Sequence, residues 1–324
     1  MTSKAFGLAQ LGNAYADGAL SNRNKIINGG FDVWQRGTSF SSASVNEYSA
    51  DRFRTEGFGL STTISRQSFT AGQTDVPDFP TYFCRVATSA TVGSGQYWSF
   101  QQRLEVPQVV SQGQTYTLSF WVRATSGTIS AGTLSYGFSS GLVGFPELTT
   151  TWQKVTRTLV FGASQISGSF ASAYLVYAPE NTAAFSVDIA NVQLEAGDTA
   201  TPFEHRSYGA ELALCQRYYE ISGTFGGVVT GRGTAGGAGN AATRAFGFVG
   251  NDFKVTKRAI PTISIQSSQS GTSGQISGYS SGTEYTVNST GGTNVNRVHS
   301  YLQTTTSMSS FEPQEYYWQA AAEL

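Results

Sequence analysis

Residues 115–123 (TYTLSFWVR) constrain the fold more than any other stretch, because their side chains alternate in character with a period of two. In a β-strand, successive side chains point to opposite faces of the sheet. The apolar face of this strand is predicted to lie in a core and comprises Tyr116, Leu118, Phe120 and Val122. The other face carries Trp121 and Arg123 among hydroxyl-bearing neighbours. The pattern therefore predicts a tryptophan on the outer face of a sheet.

Short runs of β-branched and aromatic residues recur from residue 39 to residue 203, with turn-forming residues between them and no long helical pattern. The further predicted strands are residues 60–69, 81–87, 97–106, 152–161, 173–177 and 184–195. Many short strands at this spacing are typical of antiparallel sandwiches. We therefore predict an all-β chain with a jelly-roll β-sandwich over residues 24–205.

Residues 24–37 (NKIINGGFDVWQRG) are predicted to open this sandwich. Ile26 and Ile27 would enter a strand, which the following Asn-Gly-Gly would turn or bulge. Trp34 would then cover one end of the core, and we expect Trp152 to be a core residue as well. Residues 184–195 are predicted to form the closing strand.

Residues 1–23 contain too few bulky apolar side chains to form a core, and these are Phe6, Leu8, Leu11 and Tyr15. An N-terminal arm that becomes ordered only against another subunit or protein fits this composition; a leader without function is the alternative. Residues 206–222 are predicted to form a junction with a short helix, and residues 223–324 a smaller C-terminal β-domain. The domain is rich in Gly and Ser, so oligomeric packing would help to stabilise it.

The charge balance is close to neutral, with 20 Lys and Arg against 21 Asp and Glu, and charged residues make up only 13% of the chain. Such a surface lacks the basic face with which nucleic-acid-binding proteins displace counterions from phosphates. The sequence shows neither a membrane anchor nor a signal-peptide pattern, so we expect synthesis in a cytoplasm without membrane insertion. Cys84 and Cys215 lack metal-ligand spacing and are predicted to be buried thiols, with a disulfide as the alternative.

Residues suited to catalysis are sparse. Glycoside hydrolysis uses two carboxylates held about 5–10 Å apart, and the acidic residues considered form no evident pair. They are Asp75, Asp78, Glu204 and Glu211. His205 and His299 are too few for a three-histidine metal centre, and no Gly-x-Ser-x-Gly nucleophile elbow is present. We therefore predict a protein that is not an enzyme.

Sugar binding requires an aromatic ring that stacks on the apolar face of a pyranose, with polar side chains around it. Trp121, with Arg123 beside it, is the candidate platform that periodicity favours. Tyr97, Trp98 and Gln101 are further candidates, on a strand that would lie alongside. The alternative is that these rings fill a domain or subunit interface.

Four blocks, NGGFDVW, YTLSFWVRA, TTWQKVTRTLVF and FSVDIANVQLEAGDTATPFEHR, occur in this order. Together they resemble a family of jelly-roll carbohydrate-binding modules. The arm FGLAQLGNAY, the start NKIINGGFDVWQRGTSF and the junction ELALCQRYYE add a closer resemblance to bacteriophage tail-fibre and virion-appendage proteins.

The resemblance implies a structural protein of a phage virion that attaches to the particle through residues 1–23, forms a homotrimer and faces host-surface glycans. The alternatives are a decoration or assembly protein with the same fold and no sugar binding and, least favoured, a glycan depolymerase. Related modules often carry a structural calcium ion between the first and last strands. Asp32 and Asp188 match the acidic positions of those strands, with Asn28 nearby. No other cofactor is implied.

Overall fold

The structure, a computed structural model, describes residues 22–41, 46–58, 60–222, 232–234, 248–278, 284–291, 294–304 and 313–324. The predicted attachment residues Phe6, Leu8, Leu11 and Tyr15 lie outside these ranges. The chain divides into two compact units. The first runs to Glu211 and includes Leu324, and the second is Leu212–Glu323.

The first unit consists of short strands in two antiparallel sheets. The strands β1 to β12 are Ser39–Ser41, Phe53–Gly57, Thr62–Ser68, Tyr82–Thr88, Trp98–Glu105, Thr115–Ala124, Ser135–Phe138, Val143–Gly144, Gln153–Val160, Ile166–Ser167, Phe170–Ala178 and Ser186–Ala196. Sheet A has the order β1-β3-β4-β12-β6-β9, and sheet B has the order β2-β5-β11-β7-β8 with β10 paired to β11. One apolar core draws residues from both sheets, for example Phe120 of β6 and Phe100 of β5. The predicted jelly-roll β-sandwich is therefore confirmed.

Strand β6 shows the alternation that its sequence predicts. The side chains buried in the core are Tyr116, Leu118, Phe120 and Val122, and each large apolar side chain buried in this way stabilises the fold by about 1.5–3 kcal/mol. Trp121 is half-buried on the opposite face, outside that core. Trp34 lies in the core as predicted. Trp152 is buried too, but it packs on the outer face of sheet A rather than between the sheets.

The Asn-Gly-Gly segment connects the beginning of the sandwich to its closing strand. The predicted opening strand is not formed, because residues 26–30 make bends and a turn. Asn28 adopts a φ of 62°, and its side chain hydrogen-bonds to the backbone of Val33 and Asp51. The Val192 amide donates to the Gly29 carbonyl over 2.9 Å. A Cβ atom on Gly29 would lie 2.1 Å from the Val192 carbonyl oxygen, so this close approach requires glycine.

A helix, α1 (Tyr208–Gln216), confirms the helix predicted for the junction. Strands β13 to β20 are Tyr219–Ile221, Arg232–Thr234, Phe248–Asp252, Thr262–Ser267, Gln275–Gly278, Glu284–Gly291, Arg297–Thr304 and Pro313–Ala321. They form a sheet of order β13-β20-β17-β18-β19-β15, with β14 and β16 also paired to β20. A separate small core, which includes Phe253 and Trp318, supports this predicted second β unit.

Both cysteines are free and buried, as predicted. Burial, followed by the nearby Asp188 carboxylate, raises the pKa of the Cys84 thiol well above its ordinary value. No helix in the described ranges combines the length and apolarity needed to cross a bilayer.

Candidate functional site

A small aromatic cluster lies on the outer face of sheet A. Trp152 and Phe83 meet edge to face with ring centroids 5.5 Å apart, and Phe69 lies 5.4 Å from Trp152. Val76 is 1% exposed and belongs to the same cluster. Trp121 packs against this cluster while remaining half-buried. The indole is thus held in place on one side and accessible on the other.

The chain between β3 and β4 covers part of this cluster, and we call residues 69–81 the outer loop. Its ends are close together, since the Phe69 amide donates to the Thr81 carbonyl over 3.0 Å. The Gln73 side chain bonds both the amide and the carbonyl of Val76, at 2.9 Å each. Compact loops of this kind, with adjacent ends, often have a function.

The tip of the outer loop has an unusual backbone. Asp78 and Phe79 have φ values of 67° and 49°, in the left-handed region that residues other than glycine adopt infrequently. This conformation costs about 1–3 kcal/mol at Phe79, whereas an Asp such as Asp78 tolerates it better. Phe79 also precedes Pro80, and a residue before proline is normally extended. Yet the Phe79 side chain is 78% exposed, so it gains little from burial.

A cleft of about 330 Å³ lies between the outer loop and the segment that follows β12, and we call it the Trp121 cleft. Its lining comprises Pro77, Asp78, Ser119, Trp121, Lys154, Asn191, Gln193, Ala200, Thr201, Pro202 and Phe203. Lys154 on β9 pairs directly with Trp121, and Ala190 on β12 pairs with it on the other side. Directly opposed residues share a face, so Lys154 lies beside the indole in the cleft, whereas Ala190 is buried in the aromatic cluster.

The polar groups of the Trp121 cleft differ in how many hydrogen bonds they form within the protein. Gln193 donates to Glu195 and Thr201 and accepts from the Glu204 amide, so it is held rigidly. Asp78 is exposed, and within the described ranges it forms neither a hydrogen bond nor an ion pair. Lys154 is exposed as well, and among the described residues its ammonium group makes one hydrogen bond, a long contact of 3.4 Å to the Thr201 carbonyl. An acceptor and a donor therefore flank an aromatic ring.

Asn191 connects the closing strand to the outer loop. It lies where the register of β12 against β6 shifts, between Ala190 and Gln193, and its φ is 49°. Its side-chain amide nitrogen donates to the Pro77 carbonyl over 3.2 Å. Asn is among the residues that best tolerate this conformation. The bond anchors the wall of the cleft that carries Asp78.

Arg123, predicted beside Trp121 as a sugar contact, is not among the residues that line the cleft. Its Nε donates to the Asp188 carboxylate over 3.0 Å, and Arg85 binds the same carboxylate at 2.7 Å. The Arg123 guanidinium also lies 4.7 Å from the centroid of the Trp152 ring. The geometry gives Arg123 a role in holding the outer face of sheet A together.

Tyr97, Trp98 and Gln101 do not lie alongside Trp121. The latter two are on β5 of sheet B, whereas Trp121 is on β6 of sheet A. The expectation of neighbouring strands is therefore wrong, because two strands consecutive in sequence enter opposite sheets. Trp98 is 1% exposed and packs against Phe185 in the core, so it cannot serve as a surface platform.

Tyr97 belongs instead to an aromatic group on sheet B, which sequence reasoning missed in part. Its ring stacks on Tyr177 with centroids 5.6 Å apart, and Tyr174 and Phe58 make edge contacts to this pair. Burial and neighbouring groups raise the pKa of Tyr97 and of Tyr177. In a regular strand, Tyr174 and Tyr177 of the AYLVY run would point to opposite faces, because they are three residues apart. A register shift between Tyr174 and Val176 places both rings on one face, so the spacing alone could not predict this group.

Gln101 lies near this group but is fully buried. Its amide nitrogen donates to Glu56, which also pairs with Arg103 at 3.0 Å. Two guanidinium groups on the same sheet, those of Arg54 and Arg103, donate to the Leu324 carbonyl oxygen at 3.3 and 3.1 Å. Most of these polar groups therefore form hydrogen bonds or ion pairs within the protein, in contrast to Asp78 and Lys154 of the Trp121 cleft.

The residues predicted to hold calcium do not fit that ion. The Asp188 carboxylate accepts from two guanidinium groups, those of Arg85 and Arg123, and their positive charges oppose a cation there. The Asn28 side-chain amide is already hydrogen-bonded to the backbone of Val33. Asp32 has other neighbours: burial and then Glu211 raise its pKa, while His205 and Arg66 lower it. In the part of the chain that the structure describes, no three His, Cys, Asp or Glu side chains are grouped as a metal site.

Two of the four carboxylates considered for catalysis, Glu204 and Glu211, have structural contacts. Glu204 accepts a hydrogen bond from the Asn24 amide over 2.7 Å. Glu211 accepts from the Asn28 amide and pairs with Arg206 at 3.3 Å. These bonds fasten the segment after β12 to the opening of the sandwich.

No protein-family model matches this chain, and no curated protein is significantly similar to it. Among solved structures, the Stig cyclase Fisc from Fischerella sp. TAU is 14% identical, with 53% of this chain and 96% of the cyclase covered and a TM-score of 0.36. The enzymatically active domain of tailspike protein 4 from bacteriophage CBA120 is 12% identical, with 54% and 22% covered and a TM-score of 0.33. A family 11 carbohydrate-binding module from Clostridium thermocellum is 10% identical, with 51% and 99% covered and a TM-score of 0.30. Identities and TM-scores this low assign no function to the chain.

Proposed function

We propose that the sandwich binds glycans in the Trp121 cleft and performs no catalysis. The observation that carries this proposal is the half-buried indole of Trp121, which forms part of a cleft of about 330 Å³ between two anchored walls. A cleft of this volume suits one or two sugar rings better than a folded partner. Asp78 can accept hydrogen bonds from sugar hydroxyls, and Lys154 can donate to them.

The test is binding to a broad glycan array, followed by titration calorimetry on the best glycan. Trp121→Ala is expected to weaken binding at least about tenfold, the loss that corresponds to about 1.4 kcal/mol of stacking. Trp121→Phe should retain most of the affinity, because it keeps an aromatic face. Tyr177→Ala, on sheet B, is the matched control and should leave binding unchanged. Absence of binding across the array would contradict glycan binding, and loss with Tyr177→Ala alone would move the site to sheet B.

We further propose that the chain is a structural component of a phage virion, attached through residues 1–23 and assembled as a homotrimer. The support is the joint occurrence of the sequence blocks that resemble tail-fibre and appendage proteins. Mass spectrometry of purified particles should detect the chain, and the mass of the intact assembly in solution should be three times that of one chain. A monomeric mass in solution would contradict the homotrimer, and absence of the chain from purified particles would contradict the virion assignment.

Two alternatives make different predictions for the same protein. In a decoration or assembly protein the aromatic faces would be subunit contacts, so Trp121→Ala would change the assembly mass and no array glycan would bind. A depolymerase would release reducing ends from host polysaccharide. We expect no such release, because the carboxylates of Glu204 and Glu211 accept hydrogen bonds from the backbone amides of Asn24 and Asn28.

A further inference from the structure

The outer loop carries an exposed aromatic ring at the residue that follows Asp78 in the wall of the Trp121 cleft. Asp78 lines the cleft, and Phe79 is the next residue, with its side chain 78% exposed. A single exposed apolar side chain is ordinary on a protein surface and needs no explanation. The features around Phe79 distinguish it from such a residue.

The first feature is the backbone. Phe79 has a φ of 49° although it precedes Pro80, and Asp78 before it has a φ of 67°. Nothing in the burial of Phe79 compensates for this conformation, since its ring stays in water. Unfavourable backbone that persists at an exposed position is characteristic of ligand-contacting segments.

The second feature is that the loop is fixed on both sides of this tip. Val76 is anchored in the outer aromatic cluster and bonded by Gln73. The Pro77 carbonyl accepts from Asn191, and Pro80 is buried. The ring of Phe79 is therefore carried by a braced loop, which limits the entropy that a bound ligand must remove.

We propose that Phe79 is a second stacking platform, so that the site takes a glycan chain of at least two sugar residues, one on Trp121 and the next on Phe79. This inference rests on the proposed glycan binding at the Trp121 cleft. Sugar is the occupant that fits, because an exposed carboxylate on Asp78 and an exposed ammonium group on Lys154 flank the indole. The lone charge of each sign favours a hydroxyl-rich, uncharged chain over a strongly anionic one.

The experiment compares matched short and long sugars on the intact protein: glucose with cellotetraose and maltotetraose, and N-acetylglucosamine with chitotetraose. For the series that binds, the wild-type protein should bind the tetrasaccharide roughly tenfold more tightly than the monosaccharide. Phe79→Asn removes the ring and keeps a residue that tolerates positive φ. It should abolish this gain and leave monosaccharide affinity unchanged.

Phe58→Ala is the matched control, because Phe58 is another exposed aromatic residue but lies after β2 of sheet B. It should leave both affinities unchanged. Equal affinity of the wild-type protein for short and long sugars would overturn the role of Phe79, as would a length gain that survives in Phe79→Asn. Absence of binding to these sugars and across the whole glycan array, by contrast, would overturn the proposed function itself, and the proposed role of Phe79 would fall with it.

Discussion

The Gly29→Ala substitution tests how the sandwich is closed. The added Cβ atom would lie 2.1 Å from the Val192 carbonyl oxygen, and contacts under 3.0 Å are essentially never seen for real Cβ atoms. The clash is with backbone, so the two segments must separate by about 1 Å or more to reach ordinary van der Waals contact. That movement would break the 2.9 Å bond from the Val192 amide to Gly29 and strain the 3.0 Å bond from the Asn24 side chain to Val192.

The magnitude follows from those two buried hydrogen bonds. Each buried group left without a partner costs about 1–3 kcal/mol, so we expect Gly29→Ala to lower the free energy of unfolding by about 2–6 kcal/mol. Urea denaturation followed by tryptophan fluorescence measures this directly. Gly209→Ala is the control: Gly209 is exposed in α1, and an added Cβ meets no atom within 4 Å. It should be neutral or stabilising by up to about 1 kcal/mol. A Gly29→Ala variant as stable as the wild type would show that the closure does not depend on this contact.

Two further predictions concern charged groups. Burial and the neighbouring Glu211 raise the pKa of Asp32 above its ordinary value of 3.8, so ionisation of this carboxyl destabilises the fold, increasingly as pH rises from 3.8 through the folded-state pKa. Asp32→Asn should therefore raise the melting temperature at neutral pH and have no effect near pH 3; an unchanged difference across this range would contradict the assignment. In the second unit, Lys257 is buried against Glu220 and donates to the Gln216 carbonyl. Lys257→Met should lower the free energy of unfolding by about 3–5 kcal/mol, because it leaves a buried carboxylate without its partner, and adding Glu220→Gln should recover part of the loss.

The sandwich and the outward position of Trp121 could be predicted because both follow from the period-two alternation of β6. The same rule, applied to β5, indicates that Trp98 shares a face with Phe100 and Leu104, all of which are buried. Gln102 interrupts that apolar face and obscures the pattern. It is nevertheless buried, because its side chain bonds both the amide and the carbonyl of Ile27.

Sheet membership and cross-strand neighbours could not be predicted from the sequence. Asp188 pairs with Arg85 of β4 on one side and with Arg123 of β6 on the other. These three residues are far apart in the chain, so only the register of three strands shows that the carboxylate is neutralised. For this reason the sequence could not show that Asp188 is poorly suited to the calcium ion that the resemblance implies. The position of the outer loop could not be predicted either, since no local pattern shows that it folds back over the outer face of sheet A.

The closure of the sandwich and the candidate site depend on the same irregularity in β12. Between Ala190 and Gln193 the strand leaves its register with β6, and Asn191 and Val192 are released from that pairing. The Val192 amide then donates to the Gly29 carbonyl, while the Asn191 side chain donates to the Pro77 carbonyl of the outer loop. β-Bulges of this kind commonly lie beside functional sites, because they redirect side chains without interrupting the sheet. A displacement of Val192 would therefore shift Asn191 and the wall that carries Asp78. It follows that any fraction of Gly29→Ala that still folds should bind glycan more weakly than the wild type, although Gly29 does not line the Trp121 cleft.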